Sequence, residues 1–209
     1  MSNFAEGGND TFIASGGPSA NTFFGDAQGD MSDFAKGGND TFIGSTNTSN
    51  HFYGDAGGNM SGHAQGGDDL AVLPGSEGPS AGPGTFNIDI AFGDALTMSG
   101  NAVGGKHTLT GGDTSGSGDM HYQLFGDAES MSESAKAGND TLTGGNNAGT
   151  GTVSNVLFGD AEFMSGSAKG GDDTLIAGTA APGSTTAGTD QITLHNFTGS
   201  VTANDFLFV

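Results

Sequence analysis

The apolar residues of this chain fall in short runs that return in phase, each bounded by glycine, asparagine or aspartate. Met1, Met31, Met60, Met98, Met131 and Met164 open successive copies of one pattern. A copy reads Met-Ser-x-x-Ala-x-Gly-Gly-Asn/Asp-Asp-Thr-Phe/Leu, then a variable stretch, then an apolar pair followed by Gly-Asp-Ala. Successive methionines lie 30, 29, 38, 33 and 33 residues apart. Self-similarity at such a period marks a solenoid, in which each unit buries its apolar side only by stacking on its neighbour. No run keeps the 3.6-residue spacing of an amphipathic helix, so the copies predict short strands joined by turns. The expected class is all-β, with about six coils.

The methionine column and the Phe/Leu column (Phe12, Phe42, Leu70, Leu142, Leu175) are expected to face inward. Ahead of each Gly-Asp-Ala stands an aromatic: Phe24, Tyr53, Phe92, Phe125 and Phe158. Its own predecessor is apolar too (Phe23, Phe52, Ala91, Leu124, Leu157). Neighbouring strand residues point to opposite faces, so one of these two ladders should turn away from the core unless the chain bends there. Either loops cover it, or the aromatic ladder is a contact surface for another protomer or a glycan. The linking stretches 14–20, 44–49 and 73–84 are rich in Gly, Ser, Thr, Asn or Pro. Their varying length predicts surface excursions.

Composition changes the picture in one respect. The 209 residues include 41 glycines and carry a formal net charge of -20, with 24 acids against 4 Lys+Arg and only 33% hydrophobic residues. A charge of this size would argue for disorder, were ten of the acids not held in two columns of the repeat. Such a chain should resist compaction until cations neutralise it. No basic patch exists to meet nucleic acid. No cysteine is present, and no apolar stretch is long enough to span a bilayer. No catalytic constellation is visible either, so an enzyme is not expected.

The first acidic column lies in Gly7-Gly8-Asn9-Asp10, Gly37-Gly38-Asn39-Asp40, Gly66-Gly67-Asp68-Asp69, Gly138-Asn139-Asp140 and Gly170-Gly171-Asp172-Asp173. The second is Asp26, Asp55, Asp94, Asp127 and Asp160 of the Gly-Asp-Ala turns. Columns of aspartate beside glycine turns suit Ca²⁺, which takes six to eight oxygens from carboxylates and backbone carbonyls. Magnesium fits less well, and zinc is disfavoured because His51, His63, His107, His121 and His195 show no ligand spacing.

These residues resemble the RTX, or haemolysin-type, calcium-binding repeats, whose consensus is Gly-Gly-x-Gly-x-Asp-x-apolar-x. The resemblance covers residues 1–178 and implies a right-handed parallel β-roll or β-helix that holds several Ca²⁺ ions between coils. It assigns the consensus aspartate to Asp10, Asp40, Asp69, Asp140 and Asp173, and lets Asp26, Asp55, Asp94, Asp127 and Asp160 add ligands. Gly8, Gly38, Gly67 and Gly171, with Asn9, Asn39, Asp68, Asn139 and Asp172, complete the expected site residues. This chain departs from the family in period: a two-strand family coil takes 18 residues, so a wider coil, of two or three short strands, is expected here.

The fourth copy breaks the column, with Lys106-His107 where the others carry Asn-Asp or Asp-Asp. Two readings stand: drift at a dispensable site, or the Lys106 ammonium in the cation's place. Lys36, Lys136 and Lys169 share one column and should be exposed. Residues 179–209 read as a C-terminal capping segment and also resemble an uncleaved type I secretion signal, with Asp205 followed by terminal hydrophobics. The combined expectation is an extracellular or cell-surface bacterial protein, structural in role, folding on Ca²⁺ and stacking end to end into filaments or a layer. The alternatives are an adhesin-type module with a glycan- or ice-binding face, using Thr11, Thr41, Thr108, Thr141 and Thr174, or the non-catalytic module of a larger secreted enzyme.

Overall fold

The computed structural model describes residues 1–16, 20–77, 86–179 and 189–193, with the backbone alone at 86 and 189–193. In chain order, β1 (Thr11–Ile13) and β2 (Asn21–Phe24) belong to the first coil, and β3 (Thr41–Ile43), β4 (Asn50–Tyr53) and β5 (Ala56–Met60) to the second. The third holds β6 (Leu70–Leu73), β7 (Phe86–Phe92) and β8 (Ala95–Met98); the fourth β9 (Thr108–Gly111), β10 (Asp119–Phe125) and β11 (Ala128–Met131). β12 (Thr141–Thr143), β13 (Val153–Phe158) and β14 (Ala161–Met164) make the fifth, and β15 (Thr174–Ile176) and β16 (Thr189–Thr193) follow.

Each strand pairs in parallel with its counterpart one coil away. Three sheets result, in the orders β1-β3-β6-β9-β12-β15, β16-β13-β10-β7-β4-β2 and β14-β11-β8-β5. The chain is thus an all-β parallel solenoid of about five turns, with three strands in each full coil. The third strand explains the long period. Among the described residues no helix is long and apolar enough to cross a membrane.

Register turns sequence columns into physical ladders. Met31 bridges Met60, Met98 pairs with Met131, and Met131 with Met164. Two long apolar clusters run through the interior, beside a smaller aromatic one. One lies between the first two sheets and is built on Phe42, Phe52, Leu109, Leu124, Leu142 and Leu157. The other stacks the methionines on alanines such as Ala35, Ala64, Ala102 and Ala135. Small alanines opposite unbranched methionines let a narrow third side pack closely. Met60 is wholly buried there. Met60→Ala is expected to cost about 2–5 kcal/mol, read from the urea midpoint of the folded chain.

Two expectations need correction, and one open alternative is decided. Leu70 aligns with Thr41 rather than Phe42, and Ala71 takes the inward place. Asp69 sets the register there, so the period-two alternation puts Leu70 outside, at 38% exposure. The linking stretches are not free excursions where they are described. Ser76, Thr114 and Asn147 are buried, Ser76 donates to Asn47 (3.0 Å), and Thr114 bridges Asn147.

The aromatic ladder is not an exposed stripe either. Phe92, Phe125 and Phe158 are buried and stack at centroid distances of 4.7–4.8 Å, with Ile90, Leu96 and Val156 against them. The chain bends at Gly-Asp into the third sheet, whose Leu96 belongs to the same cluster. Among the described residues β16 is the edge strand of its sheet; the rest of the expected cap and export segment lies outside the described residues.

The turn after each Met-Ser uses one left-handed position, at Asn3, Asp33, Gly62, Gly100, Glu133 and Gly166, with φ between 59° and 68°. Glycine takes it in three coils because the conformation favours a residue without Cβ.

Candidate metal centre

The chain passes between the two apolar clusters at two turns per coil, and both turns carry aspartate. The Gly-Asp-Ala turn lies between the second and third sheets, and the Gly-Gly-Asn-Asp turn leads into the first. Two columns of carboxylates therefore stand at the boundary of the two clusters. Asp40, Asp55, Asp69, Asp94, Asp127, Asp140 and Asp160 are all buried, with exposures of 6% or less.

Backbone amides of neighbouring coils hold each column. Asp40 Oδ1 accepts from the Asp10 amide (2.6 Å), Asp69 Oδ1 from Asp40 (2.7 Å), and Asp173 Oδ1 from Asp140 (2.9 Å). These carboxylates reach back to the preceding coil. The second column reaches forward: Asp26 accepts from Gly38 (2.8 Å), Asp55 from Gly67 (3.0 Å), Asp94 from Gly105 (3.1 Å) and Asp127 from Gly138 (2.7 Å). Glycine is required at the first of these turns. A Cβ on Gly38 would overlap the Gly8 carbonyl oxygen, because successive coils approach through their backbones.

Most of these carboxylates spend one oxygen on an amide and have the other left over, whereas both oxygens of Asp55 accept from Gly67 (3.0 and 3.3 Å). Asp26 Oδ1 and Oδ2 of Asp40, Asp69, Asp94, Asp127 and Asp140 are buried without a hydrogen-bond donor. Burial drives their chemistry. It pushes Asp40 and Asp140 up to about 7 and Asp160 to about 6. Asp55 and Asp127 rise well above the carboxylate range through burial, with repulsion from Asp94 and, for Asp127, Asp140 adding to it. Burial likewise raises Asp26, Asp69 and Asp173. Paired rows of buried, half-satisfied carboxylates are unstable as anions unless positive charge enters between them. A hard cation with a flexible shell of oxygens fits that need.

The structure separates the expected site residues into two groups. Asp26, Asp40, Asp55, Asp69, Asp94, Asp127, Asp140, Asp160 and Asp173 converge on the inner boundary. Asn9, Asn39, Asp68, Asn139 and Asp172 are exposed and form an outer ladder instead. Asn9 accepts from the Asn39 amide (2.8 Å), Asn39 from Asp68 (3.0 Å) and Asn139 from Asp172 (2.9 Å). Asp10, in the first coil, is exposed. Gly8, Gly38, Gly67 and Gly171 line the turn with backbone only. Lys36, Lys136 and Lys169 are exposed, as expected.

At the fourth coil His107, not Lys106, enters the interior. Lys106 is exposed, since the column it occupies points outward in every coil. The His107 imidazole is wholly buried, with Nδ1 3.3 Å from Asp69 Oδ2 and Nε2 3.3 Å from Asp94 Oδ1. The Asp69 amide also lies 3.2 Å from Nδ1, where other coils use a carboxylate oxygen. Burial lowers the basicity of this imidazole, but Asp94 and Asp69 outweigh it and hold the group well above its ordinary value. Burial raises Asp94, and His107 more than reverses that, leaving it below the usual range.

Sequence reading passes over a further polar column in the second sheet: Asn21, Asn50, Asp89, Tyr122 and Asn155. Three steps are direct strand pairs, and Asn50 stands opposite Asp89 by extension of the β4–β7 register. Asn50 donates to Asp89 from its amide (2.7 Å) and its Nδ2 (3.1 Å). The signal is positional, three residues before the aromatic in every copy, but no shared residue type marks it. Asp89 is the odd member, with Oδ2 unpartnered and burial pushing its carboxyl to about 7. Asp89→Asn should therefore stabilise the fold by about 1–3 kcal/mol near pH 8, with the gain fading near pH 5 where Asp89 is already protonated. Thermal midpoints at the two pH values check this.

No family model, curated protein or solved structure matches the chain.

Proposed function

We propose that this is a calcium-binding structural repeat protein whose folding is coupled to Ca²⁺ uptake. One observation carries the reading: two facing columns of carboxylates, of which Asp26, Asp40, Asp69, Asp94, Asp127 and Asp140 hold a buried oxygen that no donor satisfies. The ligand chemistry is all oxygen outside the fourth coil, and the turns bring glycine backbones close enough to add carbonyls. Metal binding free energy then becomes folding free energy, because the unfolded chain offers no assembled site. Several ions are expected, at the boundary positions of successive coils.

Such coupling suits export to a calcium-rich exterior in the unfolded state, so an extracellular or cell-surface location belongs to the proposal. End-to-end stacking belongs to it too, since β1 and β2 are edge strands of their sheets and edges of this kind template further pairing. Circular dichroism during a calcium titration is the direct test. A cooperative gain of β signal on adding Ca²⁺ is expected. Full β signal in chelator, unchanged by calcium, would sink the reading.

A second reading has one observation in its favour. Thr11, Thr41, Thr108, Thr141 and Thr174 stand in register on the first sheet, interrupted only by Leu70. Ile13, Ile43 and Ile176 on the same sheet are exposed at 68%, 39% and 42%. A regular, half-apolar face of this kind is what an adhesin-type surface, whether for glycan or ice, presents. Inhibition of ice recrystallisation or retention on a glycan array would favour it.

A further inference from the structure

The fourth coil differs from its neighbours in the chemistry of the atoms it offers. His107 Nε2, Asp94 Oδ2 and Asp127 Oδ2 are buried without a hydrogen-bond partner, and His107, Asp94 and Asp127 each offer a ligand atom within 4.8 Å of the other two. All three residues have 0% exposure. Nε2 and Asp94 Oδ1 lie 3.3 Å apart without hydrogen-bond geometry. Two ligands of one tetrahedral ion at about 2.0–2.2 Å stand about 3.3 Å from each other, so the separation is that of shared ligation. Nδ1 faces the Asp69 carboxylate at 3.3 Å, the partner that a metal-bound histidine ordinarily uses to fix its tautomer. The Asp69 amide lies 3.2 Å from the same nitrogen, and an ion on Nε2 would select the Nδ1–H form.

We propose that His107, Asp94 and Asp127 form a site for a borderline divalent cation of the Zn²⁺ or Co²⁺ type, oriented by Asp69 and different in kind from the all-oxygen positions of the other coils. Calcium prefers oxygen, whereas imidazole suits zinc and its first-row neighbours. The sequence conceals the site because its single histidine has no histidine partner at ligand spacing. Its partners stand in the Gly-Asp-Ala column of the adjacent third coil and of its own. The proposal goes beyond the calcium reading and does not depend on it.

Co²⁺ is the probe, added to the full chain in excess calcium and followed through its visible d–d absorption. One Co²⁺ per chain is expected, resistant to calcium and displaced by Zn²⁺. His107→Asp, which restores the residue of the other coils, should abolish the bands, while His63→Ala, at an exposed imidazole, should leave them unchanged. Asp69→Asn should weaken Co²⁺ binding by about 10–100-fold. Absence of Co²⁺ uptake by the folded wild type overturns the proposal and leaves His107 as a hydrogen-bonded plug. Equal uptake by His107→Asp overturns it as well. Should that variant not fold, spin-echo spectra of Cu²⁺ on the wild type decide: coupling to an imidazole nitrogen that persists in His63→Ala supports the site, and oxygen-only coupling refutes it. A chain indifferent to calcium that still binds Co²⁺ through His107 would sink the calcium reading alone.

Discussion

In chelator near pH 8 the chain is expected to lose its β signal, and the same sample brought to about pH 5 is expected to recover part of it. The sign follows from the raised carboxyls. Asp40, Asp89 and Asp140 titrate at about 7 and Asp160 at about 6 in the fold, against an ordinary value of 3.8. A folded-state value above the unfolded one means that the native chain binds the extra proton. Stability from these groups is therefore present near pH 4 and is lost as pH rises through 6 to 7. Calcium should reverse the trend. It occupies the space between carboxylates only once their protons leave, so its apparent affinity should climb across the same window.

With calcium at about 100 times its dissociation constant, each independent site adds about 2.7 kcal/mol, and a few sites together outweigh the stability of an ordinary domain. Thermal midpoints over a grid of pH and calcium would show two opposed slopes. A chelated chain equally folded at pH 5 and pH 8 would contradict this account of the carboxylates.

Gly54→Ala is expected to be among the most damaging single substitutions in the repeat. The new Cβ would overlap the Gly93 carbonyl oxygen and Asp69 Oδ2, one belonging to the backbone of the next coil and the other to the inner carboxylate column. The backbone cannot yield without parting the second and third coils, which are joined there by the Gly54 amide donating to the Phe92 carbonyl (3.1 Å). A loss of at least about 3–5 kcal/mol is expected, at the upper end of single substitutions. Weaker calcium response should accompany it, since Asp69 is displaced by the same group. Gly29→Ala, where a Cβ meets nothing within 4 Å, is the matched control and should change the urea midpoint little.

The repeat makes much of this legible in the sequence. Parallel stacking converts equal positions into neighbours, so the aspartates of Gly-Asp-Ala and of Asn-Asp had to form columns once the solenoid was inferred. The methionines follow by the same logic. What stays hidden depends on direction within a turn. Nothing in Asn39-Asp40 announces that the first side chain points out and the second in; the following strand decides it, and the corresponding strand of the next coil turns Leu70 outward. The bend after Phe92 is equally silent, though it decides that the aromatic ladder is enclosed. His107 escapes because a ligand set shared between coils has no spacing in sequence, and the Asn21–Asn155 column because its members differ in type.

The two carboxylate columns lean in opposite directions, one toward the preceding coil and the other toward the following one. Every coil thus presents to its successor what it receives from its predecessor, and each interface is a copy of the last. A gene for such a chain can lengthen by duplicating a whole unit without inventing a new contact, whereas a one-residue insertion inside a Gly-Asp turn would shift both columns at once. The fourth unit is the exception to that freedom. Its imidazole depends on Asp94 of the unit before it and Asp127 of its own, so copying or deleting it would change the chemistry of the array as well as its length.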